Sequence, residues 1–165
     1  MRQGGKGFTL IEVIIGAAIL GIIMPAITMT TTALMTNHQS ATDPNIVLDQ
    51  VQNAGRWISH DVQMAKTVIF DDPTGFPLTL IIPVDTDENN DRKVIYLFDN
   101  DKLKRQGYDS SETLIAEILI AGYIDTQDTT FSIRGSNVYE LAIKANKNET
   151  VVQRTYEIVQ RVGSR

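Results

Sequence analysis

Lys6-Gly7-Phe8-Thr9-Leu10-Ile11-Glu12-Val13 is the stretch on which the reading of this chain turns. On its N-terminal side lie Arg2 and Lys6 in a short Gly-rich basic stretch, MRQGGKG. On its C-terminal side the apolar run continues, so that residues 8–35, FTLIEVIIGAAILGIIMPAITMTTTALM, carry one charge, Glu12. A helix from Phe8 to Met29 would span about 33 Å at roughly 1.5 Å per residue. That length fits a hydrocarbon core of about 30 Å. The run is apolar on every face, which points to lipid rather than to the one-sided burial of a soluble helix.

Basic flanks set the orientation. After Arg2 and Lys6 the next Lys or Arg is Arg56. The positive-inside rule therefore places the N-terminus in the cytoplasm and the rest of the chain outside. A secretory signal peptide is a poorer match, because its apolar region runs about 7–15 residues and ends at a small-residue cleavage site. Pro25 predicts a bend or break in the helix, since proline lacks the donor and crowds the carbonyl four residues back.

Glu12 is the residue that needs explaining. A carboxylate deep in a bilayer costs on the order of 3 kcal/mol and normally has a partner. No Lys or Arg lies within the run. A cut after Gly7 would supply one, because Phe8 then carries a new ammonium group four residues from Glu12. The helix dipole already favours an acid in the first turn. Opposite charges about 4 Å apart at an effective dielectric of about 20 attract by roughly 4 kcal/mol, enough to offset the insertion cost. The ammonium could be the chain's own or that of a neighbouring subunit.

These residues resemble the processing motif of type IV pilins and type II secretion pseudopilins: a short basic leader ending in Gly, then Phe-Thr-Leu-Ile-Glu, then about twenty apolar residues. The resemblance implies that a membrane-embedded prepilin peptidase cuts between Gly7 and Phe8 and methylates the Phe8 amine. It implies that Glu12 is the assembly glutamate and that Pro25 corresponds, with an offset of a few residues, to a helix-breaking proline. Its implied partners are the peptidase, other pilin or pseudopilin subunits, the inner-membrane assembly platform and, before assembly, membrane lipid. It also implies the fold: α+β, a long N-terminal α-helix packed on an antiparallel β-sheet.

The expected domains are a leader at 1–7, a transmembrane and filament-core helix at 8–35, and an extracytoplasmic domain at 36–165. Loss of the leader removes Arg2 and Lys6, leaving 13 basic against 20 acidic residues in place of 15 against 20. This acidic balance suits a secreted domain and argues against a broad nucleic-acid surface. The chain has 42% hydrophobic and 21% charged residues, the composition of a folded protein. With no cysteine, disulfides, thiolate metal sites and cysteine nucleophiles are all excluded.

Asp43-Pro44 reads as an N-cap followed by proline at the first helical position. Val47, Val51, Ala54, Ile58, Val62 and Ala65 then recur at helical spacing. Residues 44–66 are thus a second amphipathic helix, or the first resumed after a break, with its stripe docked on a sheet. Trp57 beside the stripe is expected to anchor that packing. Strands are expected over about 67–161, at Thr67–Phe70, Leu78–Pro83, Val94–Phe98, Lys102–Gln106, Phe131–Arg134, Val138–Lys144 and Val151–Gln160. The last two should pair as a hairpin. Thr113–Ile124 is apolar throughout and fits a strand or a short helix. The order Leu-Thr-Leu, Val-Ile-Tyr-Leu, Lys-Leu-Lys-Arg-Gln over about residues 55–110 resembles the J-type minor pseudopilins and their minor-pilin counterparts.

Two local patterns suggest chemistry. Asp85, Asp87, Asn89 and Asp91 stand at alternate positions, like the opening of a calcium loop. Asn90 occupies the sixth position, where Gly is usual, and Tyr96 the twelfth, where the bidentate Glu belongs. The reading is therefore an exposed hairpin loop, with no metal and no cofactor expected. Ser59-His60-Asp61 invites comparison with a catalytic triad, but consecutive helical residues point in different directions, so a solvated helix face is expected. His38 lies in a polar stretch beyond the apolar run. The function expected is that of a non-enzymatic subunit, minor by the J-type resemblance, of a pilus, pseudopilus or competence filament. A membrane-anchored binding module or adhesin is the alternative.

Overall fold

The computed structural model describes residues 9–71, 73–84 and 90–161, with backbone alone for 33–42. The chain divides into two compact units, Met1–Thr42 and Asp43–Arg165. A single helix, α1 (Leu10–Met64), runs without interruption through the described part of the first unit into the second.

That continuity corrects two expectations. Pro25 does not break the helix, and Asp43-Pro44 does not start a new one. The physical reason at Pro25 is that proline costs one bond of the ladder while its neighbours keep theirs. The threonines that follow add bonds: Thr28 Oγ1 donates to Met24 O at 2.9 Å, Thr30 to Ala26 O and Thr31 to Ile27 O at the same distance. At Asp43 the side chain is drawn elsewhere. It accepts from Asn148 Nδ2 at 2.7 Å and faces Lys147 Nζ at 2.9 Å, so it ties the helix to a hairpin turn instead of capping it.

In the second unit the stripe behaves as its spacing predicts. Val47, Val51, Ala54, Ile58, Val62 and Ala65 are all fully buried. They pack into one core with residues of two antiparallel sheets. The first sheet is a five-stranded meander in the order β1 (Thr67–Phe70), β2 (Leu78–Ile82), β3 (Arg92–Asp99), β4 (Lys102–Tyr108), β5 (Leu114–Ala121). The second has β6 (Thr130–Gly135), β7 (Val138–Lys147) and β8 (Thr150–Val159) in that order. The α+β class, with a helix on antiparallel sheets, is as the sequence implied.

Alternation decides which side chains face inward. Leu78 and Leu80 of β2, Val94 and Tyr96 of β3, and Leu141, Ile143 and Ala145 of β7 are buried at every second position. Phe131 bridges the sheets: its ring meets Phe70 edge-on and stacks on Tyr139, each at 5.3 Å between centroids. Backbone bonds from Asp125 N to Lys144 O and from Asn146 N to Tyr123 O tie the connection between β5 and β6 to β7.

The hairpin turns use asparagine. Asn100, Asn137 and Asn148 have φ of 55°, 61° and 55°, the left-handed region that Asn tolerates better than most residues. The ambiguous stretch 113–124 resolves as the edge strand β5, paired only with β4 among the described residues. Leu114, Ile115, Ile118 and Leu119 are exposed there, so neither face supplied the alternation that marks a half-buried strand.

Candidate functional site

The helix start is built by two residues of the quoted motif. Thr9 precedes the first helical residue, Leu10. Its carbonyl accepts from Glu12 N at 3.1 Å and Val13 N at 3.4 Å. Glu12 reaches back: its Oε2 accepts from Thr9 N at 3.0 Å and from Thr9 Oγ1 at 2.9 Å. Thr-x-x-Glu here forms the Glu half of a capping box, satisfying the Thr9 N–H, while the Thr9 hydroxyl donates to the same carboxylate. Both bonds fall on one carboxylate oxygen, and Oε1 accepts none among the described residues.

Sequence reasoning sought a partner for Glu12 only in the Phe8 ammonium and missed this local one. The signal was available, since a Thr three residues before an acid at the head of an apolar run is a capping pattern. Gly7 and Phe8 lie outside the described residues.

Leu10–Thr32, 23 residues of this helix, contain an 18-residue window with a mean hydropathy of 2.5, and none of these residues is buried. Leu10, Ile11, Val13, Ile14, Ile22 and Met29 are among its exposed apolar side chains. A helix of this length and composition fits a membrane anchor, and its polar threonine hydroxyls are internally bonded, as lipid requires.

Residues 2–24 match the model of the prokaryotic N-terminal methylation motif. The chain carries the signature of type IV pilins and pseudopilins. This pilin signature covers Gly7, Phe8 and Glu12 and stops short of Pro25. No curated protein and no solved structure matches the chain. The features of the second unit, Asp43–Arg165, follow from its own geometry.

That geometry overturns the solvated-face reading of Ser59-His60-Asp61. Asp61 is 4% exposed. Its Oδ2 accepts from Tyr96 Oη and from Arg105 Nε, each at 2.7 Å. His60, largely exposed, still places Nδ1 3.3 Å from Asp61 Oδ1, although the two are consecutive. Arg105 also lies over the Trp57 ring at 5.4 Å, and Trp57 packs against the core as expected. Burial, and then the Asp61 charge, push the Tyr96 hydroxyl far above the ordinary tyrosine range. The cluster is a fully bonded polar insert that joins α1 to β3 and β4. Nothing in the local sequence marks it, because its three members lie 35 and 44 residues apart.

Of the calcium-like pattern, Asp85, Asp87 and Asn89 lie outside the described residues. Asp91 is described and sits 3.9 Å from Lys66 Nζ. Tyr96, at the position where a bidentate ligand would be needed, is fully buried and committed to Asp61. Among the described residues no group of three His, Cys, Asp or Glu side chains comes together to hold a metal.

Proposed function

We propose that this chain is a filament subunit whose anchor becomes part of a helical core after its leader is removed. The coarse statement, a processed pilin- or pseudopilin-like subunit, rests on the methylation motif at residues 2–24. The observation that carries the finer reading is the position of that motif at the head of a 23-residue apolar stretch of α1 with no buried residue. Such a helix needs lipid or other helices around it. Exchange of one for the other is feasible, because contacts between apolar helices replace contacts with lipid at similar polarity.

In this reading prepilin peptidase cuts between Gly7 and Phe8 and methylates Phe8. The new ammonium, on the same chain or on a neighbour, meets Oε1 of Glu12, which accepts no hydrogen bond among the described residues. The outer unit stays on the far side of the cytoplasmic membrane and then on a filament of pilus, secretion or competence type, drawn out by the inner-membrane assembly platform. A minor place among the subunits is supported by the order of the β2, β3 and β4 sequences, which resembles the J-type pseudopilins. The protein is on this account a substrate of an enzyme and not an enzyme.

Co-expression with a prepilin peptidase tests the reading. Removal of MRQGGKG, three of whose seven residues are glycine, lowers the mass by roughly 0.7 kDa. The expected product begins at a monomethylated Phe8 in mass spectrometry. A chain that keeps residues 1–7 beside an active peptidase would overturn the proposal and favour a simple anchored binding module.

A further inference from the structure

The outer unit carries positive charge that it does not use internally. A groove of about 450 Å³ opens between the second half of α1 and β8. Arg56 and His60 line it from the helix, Arg154 and Tyr156 from the strand. The helix and strand meet closely here because residue 55 is glycine: a Cβ at Gly55 would stand 2.2 Å from Tyr156 Cζ.

Arg56 and Arg154 are both exposed, and neither has an ion-pair partner among the described residues. Their charges converge. Burial raises the pKa of the Tyr156 hydroxyl, and Arg154 and Arg56 both act against that rise. The acids nearby do not neutralise them. Asp61 is buried and taken by Tyr96 and Arg105. Asp49 lines an adjoining hollow with Arg56 but makes no ion pair with it. Gln52 and Gln63 add uncharged amide donors and acceptors to the walls.

We propose that this groove binds an acidic peptide segment of a partner protein, with two carboxylates taken by Arg56 and Arg154. The guanidinium fork matches a carboxylate in two parallel bonds. The side-chain amides along the walls match a peptide backbone. The overall charge of −5 selects against larger polyanions. A nucleic acid or an anionic membrane surface would bring many like charges against the rest of the domain. A short segment stays within the local positive field, whose reach is about 8 Å at physiological ionic strength. The inference concerns the outer unit and goes beyond the subunit reading; it holds whether or not the leader is cut.

The test uses the full chain in detergent and a fluorescent peptide of alternating glutamate and serine, with a glutamine–serine peptide of equal length beside it. The expected result is saturable binding of the glutamate peptide, weakened by salt, and none of the glutamine peptide. Arg56→Gln with Arg154→Gln should weaken binding by about a hundredfold, taking roughly tenfold for each charge-assisted contact. Lys102→Gln with Arg92→Gln removes the same charge from the five-stranded sheet and should leave binding unchanged. Circular dichroism checks that each double variant is folded. No binding of the glutamate peptide at millimolar concentration overturns the proposal. So does equal binding by the Arg56/Arg154 variant, or binding of anionic vesicles or oligonucleotides in preference to the peptide.

Discussion

Arg105 Nε lies 2.7 Å from Asp61 Oδ2, and only 4% of Asp61 reaches solvent. Such a pair contributes little as a pair but a great deal when half of it is removed, because the remaining charge is stranded in a low-dielectric setting. Arg105→Met should cost about 3 kcal/mol or more. Tyr96→Phe, which removes one bond to the same oxygen, should cost about 1 to 2 kcal/mol. Replacing all three by apolar residues of similar volume should restore most of the loss. Urea titration of the full chain in detergent, followed by the Trp57 fluorescence, measures each value. A triple variant no more stable than Arg105→Met would show that the pair does more than fill space.

Two glycines are predicted to be sterically fixed. Gly75 has φ of 82° and a Cβ there would stand 2.0 Å from the Phe131 carbonyl oxygen. Gly75→Ala therefore has to move backbone and should cost about 3 kcal/mol or more, by strain and lost packing together. Gly55→Ala meets the Tyr156 ring, a side chain that can turn aside, and should cost about 1 to 3 kcal/mol. Thermal midpoints of the two variants should fall in that order.

Stability should decline in acid through the ion pairs that fasten the second unit. Hydrogen bonds from Lys147 and then Asn148 hold the Asp43 carboxyl below its ordinary value of 3.8. Lys104 does the same for Asp99, and Gln106 and Lys104 for Glu117. A native-state pKa below the unfolded one means stability that is present above the unfolded value and lost as pH falls through the native one. The thermal midpoint should be level from about pH 5 upward as far as these groups are concerned, and should drop below about pH 4. Asp43→Asn should lower the midpoint at pH 7 and make little difference near pH 2.

Glu12→Gln separates the observed cap from the proposed ion pair. Glutamine still accepts from the Thr9 N–H and hydroxyl, so the capping box and the helix start should survive. The charge is gone, so filament incorporation should fall sharply while insertion and leader removal continue. Immunoblotting of sheared filaments against membrane fractions distinguishes the outcomes. Normal incorporation of Glu12→Gln would remove the ion pair from the account. Gly7 replaced by a bulky residue should block leader removal.

Calcium should not bind at the 85–96 segment. The position that would complete the shell is Tyr96, whose ring lies in the core and whose hydroxyl donates to Asp61. Calorimetry with millimolar calcium should show no saturable heat.

Much of the fold was legible because it depends on spacing. The stripe from Val47 to Ala65 repeats at helical intervals, and every member proved buried. The hairpin of β7 and β8 was announced by two alternating runs around Asn148. The methylation motif at residues 2–24 was legible for a different reason: a carboxylate alone in an apolar run behind a short basic stretch is conspicuous without any coordinates.

Local periodicity could not set the continuity of α1, the identity of β5 or the fate of Asp61. Whether Pro25 ends a helix depends on whether the bonds around it survive. A strand apolar on both faces shows no alternation. Asp61 found Tyr96 and Arg105 across 35 and 44 residues of chain, a meeting that only the packing of α1 on the sheet could arrange. Linear pattern governs which segments bury one face; the partners of a buried charge are chosen where those segments cross.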